Sequence, residues 1–260
     1  MAQQLADAGP WVLTAAVLLM LALETKWSLV PVLPATPRVK HLLRNVGLAL
    51  CAAGFAVGGT FLQISLALWA ETHDVGLLHL VDAPWPLRIA FVVVTFDFFE
   101  WLRHRLHHRV PLLWRLHRVH HSDPHLDAST AVRGHPLEGL LAWLYFSSFI
   151  LVFGVDALSL AVRALLVAMA LAWHHSVLRL PARVDRFISF VTPTPRTHRM
   201  HHSRDVRFTD TNFGTLFTWW DRVLGTWSPP RDVPEPKTGL DGYDTPRHQS
   251  LLGLLRLPFE

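Results

Sequence analysis

His104-Arg-Leu-His-His108, His117-Arg-Val-His-His121 and His198-Arg-Met-His-His202 repeat one pattern three times in a chain of 260 residues. The stretch from His104 to His202 holds thirteen of the seventeen histidines. A neutral imidazole is a nitrogen ligand that suits zinc, copper, iron and nickel. The three boxes offer more imidazoles than one ion needs, so two ions sharing the set is the economical reading. Positions i, i+3 and i+4 share one face of a helix. His117, His120 and His121 therefore converge, as do His198, His201 and His202. In the first box His104 and His108 are one turn apart, and Asp97, seven residues earlier, lies on the same stripe. His107 is turned roughly 100° from His108, so His108 is the preferred ligand and His107 the reserve.

Half of the chain is hydrophobic and 17% is charged, below the ~25% charged content usual for a soluble domain. Cys51 is the one cysteine, which excludes an internal disulfide and a thiolate metal site. The formal charge of +4 comes from arginines beside the histidines. It reads as membrane topology, with no nucleic-acid partner expected. No Lys or Arg occurs in the first 25 residues, so a cleaved secretory leader is not expected.

Asn45 to Ala70 carries no charge over 26 positions and predicts a transmembrane helix. Gly54 and Gly58 in it form a small-xxx-small pair, by chance or for close helix packing. Trp11 to Leu23, after Ala8-Gly9-Pro10, is a marginal span, with Glu24 and Lys26 snorkelling at its end. Pro31, Pro34 and Pro37 break any helix there. Leu87 to about Arg109 reads as one helix that leaves the membrane and carries the first box, ended by Pro111. Leu137–Phe153 and Ala157–Trp173 read as a hairpin about Gly154-Val155-Asp156. The chain from His174 onward is mostly polar and rich in proline.

The expected fold is all-α: a polytopic integral membrane bundle of three to five segments with a histidine-rich cap holding a dinuclear metal site. Residues 1–86 supply N-terminal helices and a connector, and 87–260 form the domain that carries the three boxes. Residues 24–44 carry Lys26, Arg38, Lys40 and Arg44 and residues 103–136 carry Arg103, Arg105, Arg109, Arg115, Arg118 and Arg133, whereas residues 1–23 and 71–86 have no Lys or Arg. The positive-inside rule then places the N-terminus outside and the boxes in the cytosol.

The boxes in this order, with a hydrophobic hairpin between the second and third, resemble the fatty acid hydroxylase/sterol desaturase superfamily of membrane-bound, histidine-box di-iron oxygenases. Asp97-Phe-Phe-Glu-Trp-Leu-Arg-His-Arg105 is similar to the family's entry to its first box. Pro111-Leu-Leu-Trp-Arg-Leu-His-Arg-Val-His-His-Ser122 is similar to its second. Arg133-Gly-His-Pro-Leu-Glu138, His175-Ser-Val-Leu-Arg-Leu-Pro181, Asp210-Thr-Asn-Phe-Gly214 and Trp220-Asp-Arg-Val-Leu-Gly-Thr226 resemble further family elements. The resemblance covers roughly residues 88–260. It implies metal ligation by His104, His108, His117, His120, His121, His198, His201 and His202, and by His175, with His135 as a further candidate beside His107. It departs at Val177, where many relatives have Asn.

Metal-bound imidazoles usually donate their second N–H to a carboxylate or carbonyl. Asp97, Asp127, Glu138, Asp205, Asp210 and Asp221 are the candidate carboxylates, with Asp97 and Glu138 preferred; for Asp205 and Asp221 the alternative is helix or turn capping. The implied chemistry uses two Fe ions, O2 and electrons from a separate ferredoxin-like or cytochrome b5-like donor to hydroxylate or desaturate a sterol, fatty acyl chain or related lipid. Zinc can replace iron on overexpression. Arg103, Arg105, Arg115, Arg118, Arg199, Arg204 and Arg207 either dock an acidic donor or pair with lipid phosphates and local carboxylates. A carotenoid or ether-lipid hydroxylase would use the same site. A zinc hydrolase would leave most histidines idle. A non-catalytic zinc binder or transporter usually carries low-complexity histidine tracts instead.

Overall fold

The computed structural model describes residues 2–229 and 235–260. Six longer helices form the framework: α1 (Ala2–Glu24), α2 (Ala35–Thr72), α3 (Trp85–Arg109), α4 (Pro111–His121), α5 (Pro136–Phe153) and α6 (Ala157–His175). Shorter helices α7 (Ala182–Ile188), α8 (Pro195–His201), α9 (Val206–Thr209), α10 (Trp219–Val223) and α11 (Leu251–Arg256) build the remainder. No strand occurs among the described residues; two isolated bridges join Ser28 to Leu178 and Ser203 to Thr238.

Among the described residues three segments are long and apolar enough to cross a membrane: Ala35–Leu80, which contains α2, Pro136–Phe153 and Ala157–His175. Pro10–Glu24 is a shorter apolar helix. The chain is therefore an all-α integral membrane protein. At 1.5 Å per residue, α5 and α6 each reach about 27–28 Å, close to the ~30 Å hydrocarbon core.

α5 and α6 follow one another through Gly154-Val155-Asp156 and each packs against another long helix. α1 packs along α6, α2 along α5, and α3 touches α4 and α6. Gly154 caps α5 in the left-handed conformation, φ 66°, and Asp156 caps α6 through Ser159. A Cβ on Gly76 would stand 2.1 Å from the Gly154 nitrogen, so the hairpin tip meets the loop after α2 backbone to backbone. Phe96, Phe146 and Ile150 fill the core between α3 and α5. Lipid is as apolar as these side chains, so close van der Waals packing holds them together.

Three expectations need correction. α1 starts at Ala2 and runs through Pro10. α2 starts at Ala35, ten residues before the uncharged stretch, with Pro37 in its first turn, where a missing N–H costs no intrahelical bond. The close approach on α2 is made by Gly59, whose Cβ would fall within 2.4 Å of the Trp143 ring; Gly54 and Gly58 face open space.

The early turns of α2 reach into the polar cap. His41 and Asn45 are fully buried; His41 Nε2 lies 2.9 Å from the Asp123 carboxylate, and Asn45 donates to Ser129 Oγ at 2.8 Å. Glu24 does not snorkel. It is fully buried and accepts from Val177 N at 2.8 Å, Ala128 N at 3.3 Å and Arg38 at 3.1 Å.

Candidate metal centre

Four helices deliver the histidines to one place. The last two turns of α3 carry His104 and His108. α4, which starts with Pro111 at its first position, carries His117, His120 and His121. α6 ends on His175. α8 opens with a reciprocal Thr194–Thr197 capping box and Pro195, and carries His198 and His201 with His202 as its C-cap. Such a cap stabilises by ~1 kcal/mol, enough to fix the start of a two-turn helix that tertiary contacts complete.

The ring nitrogens sort into two groups. His104, His108, His117, His121 and His201 form one; His120, His175, His198 and His202 form the other. Within each group the possible ligand atoms lie within 4.8 Å of one another. Adjacent residues on a helix point about 100° apart, so His120 and His121 serve different groups, as do His201 and His202. The second and third boxes therefore straddle both positions instead of each converging on one.

Hydrogen bonds fix the tautomers. Nδ1 of His104 donates to Phe213 O at 2.9 Å and Nδ1 of His201 to Thr211 O at 2.8 Å. Nδ1 of His120 donates to Arg133 O at 2.9 Å and Nδ1 of His175 to Leu171 O at 2.8 Å. Each of these four neutral rings then has a bare lone pair on Nε2. Yet Nε2 of His104 faces Nε2 of His201 at 2.9 Å, and Nε2 of His120 faces Nε2 of His175 at 3.0 Å. Two lone pairs at that distance repel, and neither has a proton to share. A cation between them resolves both contacts, so the donor set fits a metal at each position. Two nitrogens bound at about 2.1 Å stand ~3.0 Å apart at a right angle and ~3.4 Å apart at the tetrahedral angle. The nearest pairs, at 2.9–3.2 Å, match the right angle.

Burial, and then neighbouring imidazoles, hold His117, His121, His198 and His202 well below the ordinary histidine value of 6.5. His201 is held well below it too, by burial and then by His108. These rings are neutral at neutral pH, the form that binds a metal.

The family model for fatty acid hydroxylase matches residues 89–226, more than half of the chain. The chain belongs to the fatty acid hydroxylase family. It is 28% identical over 171 residues to alkylglycerol monooxygenase from Danio rerio, covering 66% of this chain and 36% of that protein. It is 28% identical over 224 residues to ornithine lipid hydroxylase OlsE from Rhizobium tropici, covering 85% of this chain and 65% of that one. It is 30% identical over 151 residues to human lathosterol oxidase, covering 55% and 45%. The chain thus spans about a third of the length of the alkylglycerol monooxygenase it matches. No solved structure matches.

Among fatty acid hydroxylase carboxylates, Glu138 touches the centre here: it accepts from His117 Nδ1 at 2.8 Å. Asp97 does not. It accepts from Leu216 N, Phe217 N and Trp220 Nε1 at 2.8–3.1 Å, and so acts on the loop that presents the Phe213 carbonyl. Asp127 bonds Ser129, caps the turn Ala128–Val132 and faces His41 and Arg38. Asp205 caps α9. His107 donates to Arg103 O, and His135 caps α5 through Nδ1 while Nε2 donates to Leu255 O; both rings lie outside the two groups. His174 is buried beside His198 but also outside them.

Two carboxylates in the family signatures carry more than the sequence indicated. Asp210 reaches His108 Nδ1 at 3.3 Å. Fully buried Asp221 accepts from Trp101 Nε1, Phe213 N, Gly214 N and Thr226 Oγ1 at 2.6–2.9 Å, and thereby fixes the loop that holds His104. The arginines are largely engaged: Arg204 pairs with Asp241 and Asp244, Arg207 with Asp205, Arg103 with Glu100, and Arg199 donates to Pro236 O.

A cavity of about 370 Å³ opens onto the histidines. Its lining includes Ala49, Ala52 and Ala56 of α2, Gly139 and Ala142 of α5, and His104, His117, His120 and His175. Ligand pockets span roughly 300–1,000 Å³, so this one is large enough for a small molecule or a segment of a larger one.

Proposed function

We propose that this fatty acid hydroxylase family member is an O2-dependent di-iron enzyme that hydroxylates or desaturates a lipid. Its relatives' names, an alkylglycerol monooxygenase, an ornithine lipid hydroxylase and a lathosterol oxidase, support a lipid drawn from the bilayer. The observation that carries the reading is the pairing of bare Nε2 lone pairs at 2.9 and 3.0 Å in two separate groups. His104, His108, His117, His121 and His201 would hold one ion; His120, His175, His198 and His202 the other.

When bound, the two ions supply the reduction of O2 and the oxidation of a C–H bond, which no side chain here provides. Hydroxylation consumes one O2, two electrons and two protons, and releases one water. The residues do the rest. Glu138 and the carbonyls of Phe213, Arg133, Leu171 and Thr211 orient the imidazoles and keep Nε2 free of protons. The alanine and glycine wall leaves room for an alkyl segment and excludes water. Residues 87–260 serve as the catalytic domain, and α1 and α2 close the cavity on the lipid side. Electrons come from a separate ferredoxin-like or cytochrome b5-like protein. The N-terminus faces outward and the metal centre faces the cytosol, following the arginine distribution.

Metal stoichiometry with Mössbauer spectroscopy on iron-labelled protein tests the proposal. Two coupled irons per chain are expected, with oxygenated lipid formed when reductant is supplied. One zinc per chain, with no iron uptake on anaerobic reconstitution, would overturn it in favour of a hydrolase or transporter.

A further inference from the structure

A helix on the surface of a protein in water turns its polar side outward. α7 does the reverse. Asp185 on it and Ser189 at its C-cap are buried. Val184 and Phe187, three apart on the helix, and Phe190 and Val191 just after it stand outside, with Phe187 78% exposed.

α10 adds to this surface. Thr218 N donates to Val191 O at 3.0 Å and Arg222 to Ser189 O at 2.9 Å, which fastens the start of α10 to the end of α7. Arg222 also lies over the Phe190 ring, 4.8 Å from its centroid. Trp219, Val223 and Leu224 are exposed in turn, Val223 to 77%.

The charges are equally one-sided. Arg179, Arg183 and Arg186, on or just before α7, are all exposed, and among the described residues none has an ion-pair partner. The acidic groups on this side are withdrawn: Asp185 is buried, and Glu235 is held by Arg196 at 3.0 Å. An aromatic and apolar surface beside unpaired arginines suits the interfacial zone of an anionic bilayer. There apolar side chains sink ~5–10 Å to the acyl boundary while cationic groups meet phosphates. An acidic protein would satisfy the arginines too, but chain continuity favours lipid. Residues 176–181 alone separate α7 from α6, which is long and apolar enough to span the membrane.

We propose that α7 and α10 form an interfacial foot that enters the leaflet on the metal-centre side and prefers anionic phospholipids through Arg179, Arg183 and Arg186. The inference is independent of the reaction at the histidines. The leaflet then holds one end of the segment that leads through Pro193, whose carbonyl accepts from Trp173 Nε1 at 2.9 Å, into α8 and its three histidines.

The test places the fluorophore NBD on Phe187→Cys, and separately on Val223→Cys, in the full chain with Cys51→Ala. Each protein is reconstituted in phosphatidylcholine nanodiscs that carry a small fraction of phosphatidylglycerol or phosphatidylcholine bearing a nitroxide on its acyl chain. Both labels should be quenched by the nitroxide lipids and shielded from aqueous iodide. At equal mole fraction the phosphatidylglycerol should quench at least about twofold more than the phosphatidylcholine. The triple variant Arg179→Gln/Arg183→Gln/Arg186→Gln should bring that ratio to one without changing the melting temperature. Salt at about 1 M, where the Debye length is about 3 Å, should lower the ratio with the arginines in place, so the charge dependence is read even if the triple variant does not fold. Three results each overturn the proposal. Iodide quenching without nitroxide quenching would leave the surface in water, free for a soluble acidic partner. Shielding from both quenchers would mean that a second copy of the chain covers it. Equal quenching by the two lipids, unaffected by salt or by the arginine changes, would remove the anionic preference.

Discussion

The five-histidine and four-histidine groups are neighbours built from the same helices, yet their surroundings differ. The five-histidine group carries carboxylates: Glu138 on His117 and Asp210 on His108. Trp114 and Phe213 pack against its rings. In the four-histidine group His120 and His175 donate to backbone carbonyls, as His104 and His201 do in the other group, and among the described residues Nδ1 of His198 and His202, like that of His121, has no partner; the groups differ in that no carboxylate hydrogen-bonds the four-histidine rings. A carboxylate behind an imidazole makes it a stronger donor and adds negative charge near the ion. The difference teaches that one position is electrostatically reinforced and the other relies on geometry and burial alone.

The largest test of this contrast removes one ligand from each group. His120→Ala leaves three imidazoles without carboxylate support; His201→Ala leaves four with it. Both should lose activity by more than the 10–100-fold typical of an outer-shell change. Elemental analysis should find His120→Ala near one ion per chain and His201→Ala closer to two. Equal metal loss in both variants would show that the groups are equivalent.

A smaller change tests the carboxylates themselves. Glu138→Gln keeps a hydrogen-bond acceptor for His117 but removes the charge, and Asp210→Asn does the same for His108. Each should weaken the five-histidine position by about 10–100-fold, with Glu138→Gln the stronger because its contact is shorter, 2.8 against 3.3 Å. Metal titrations should show the four-histidine position unchanged. Weakening of both positions together would mean that the carboxylates act on the fold instead.

The boxes were legible because helical spacing and residue type suffice to find them. The split between the groups was also available, since His120 and His121 differ by one residue and so by about 100°; reading each box as one face hid it. Asp97 shares a stripe with His104 but bonds Leu216, Phe217 and Trp220, 119 to 123 residues away. Asp221 and Glu24 likewise meet Trp101 and Val177 over separations of 120 and 153 residues. Periodicity reports a face of a helix and says nothing of which distant loop will cover it. The extent of α2 was missed for a related reason: the polar side of its first turns, Arg38, His41 and Asn45, is covered only because Glu24, Asp123 and Ser129 arrive from elsewhere.

Asp221 offers a gentler way to disturb one group through its scaffold. Asp221→Asn replaces one of its two acceptor oxygens with a donor that faces other donors. Leaving a buried partner unsatisfied costs about 1–3 kcal/mol, and at ~2–4 °C per kcal/mol for a chain near this size the melting temperature should fall by several degrees. Phe213 O holds His104, so metal affinity should drop several-fold at the five-histidine position only. A stability loss without that selective drop would assign Asp221 to folding alone.

Acidity gives the mildest and most continuous probe. Burial holds His117, His121, His198, His201 and His202 well below 6.5 in the folded chain, whereas the unfolded chain takes up protons near 6.5. The unfolded state therefore binds more protons as pH falls, and the metal-free protein should lose stability progressively below about pH 6.5 and hold it above. Bound metal opposes this, since protons and metal compete for the same lone pairs. A nearby carboxylate attracts a divalent ion more than a single proton, so the reinforced five-histidine position should retain its ion to lower pH. Acid titration of the loaded protein, followed by released metal, should give two steps with the four-histidine position first. A single step would erase the contrast between the groups, because it would show that burial outweighs Glu138 and Asp210 in setting how tightly each position holds its ion.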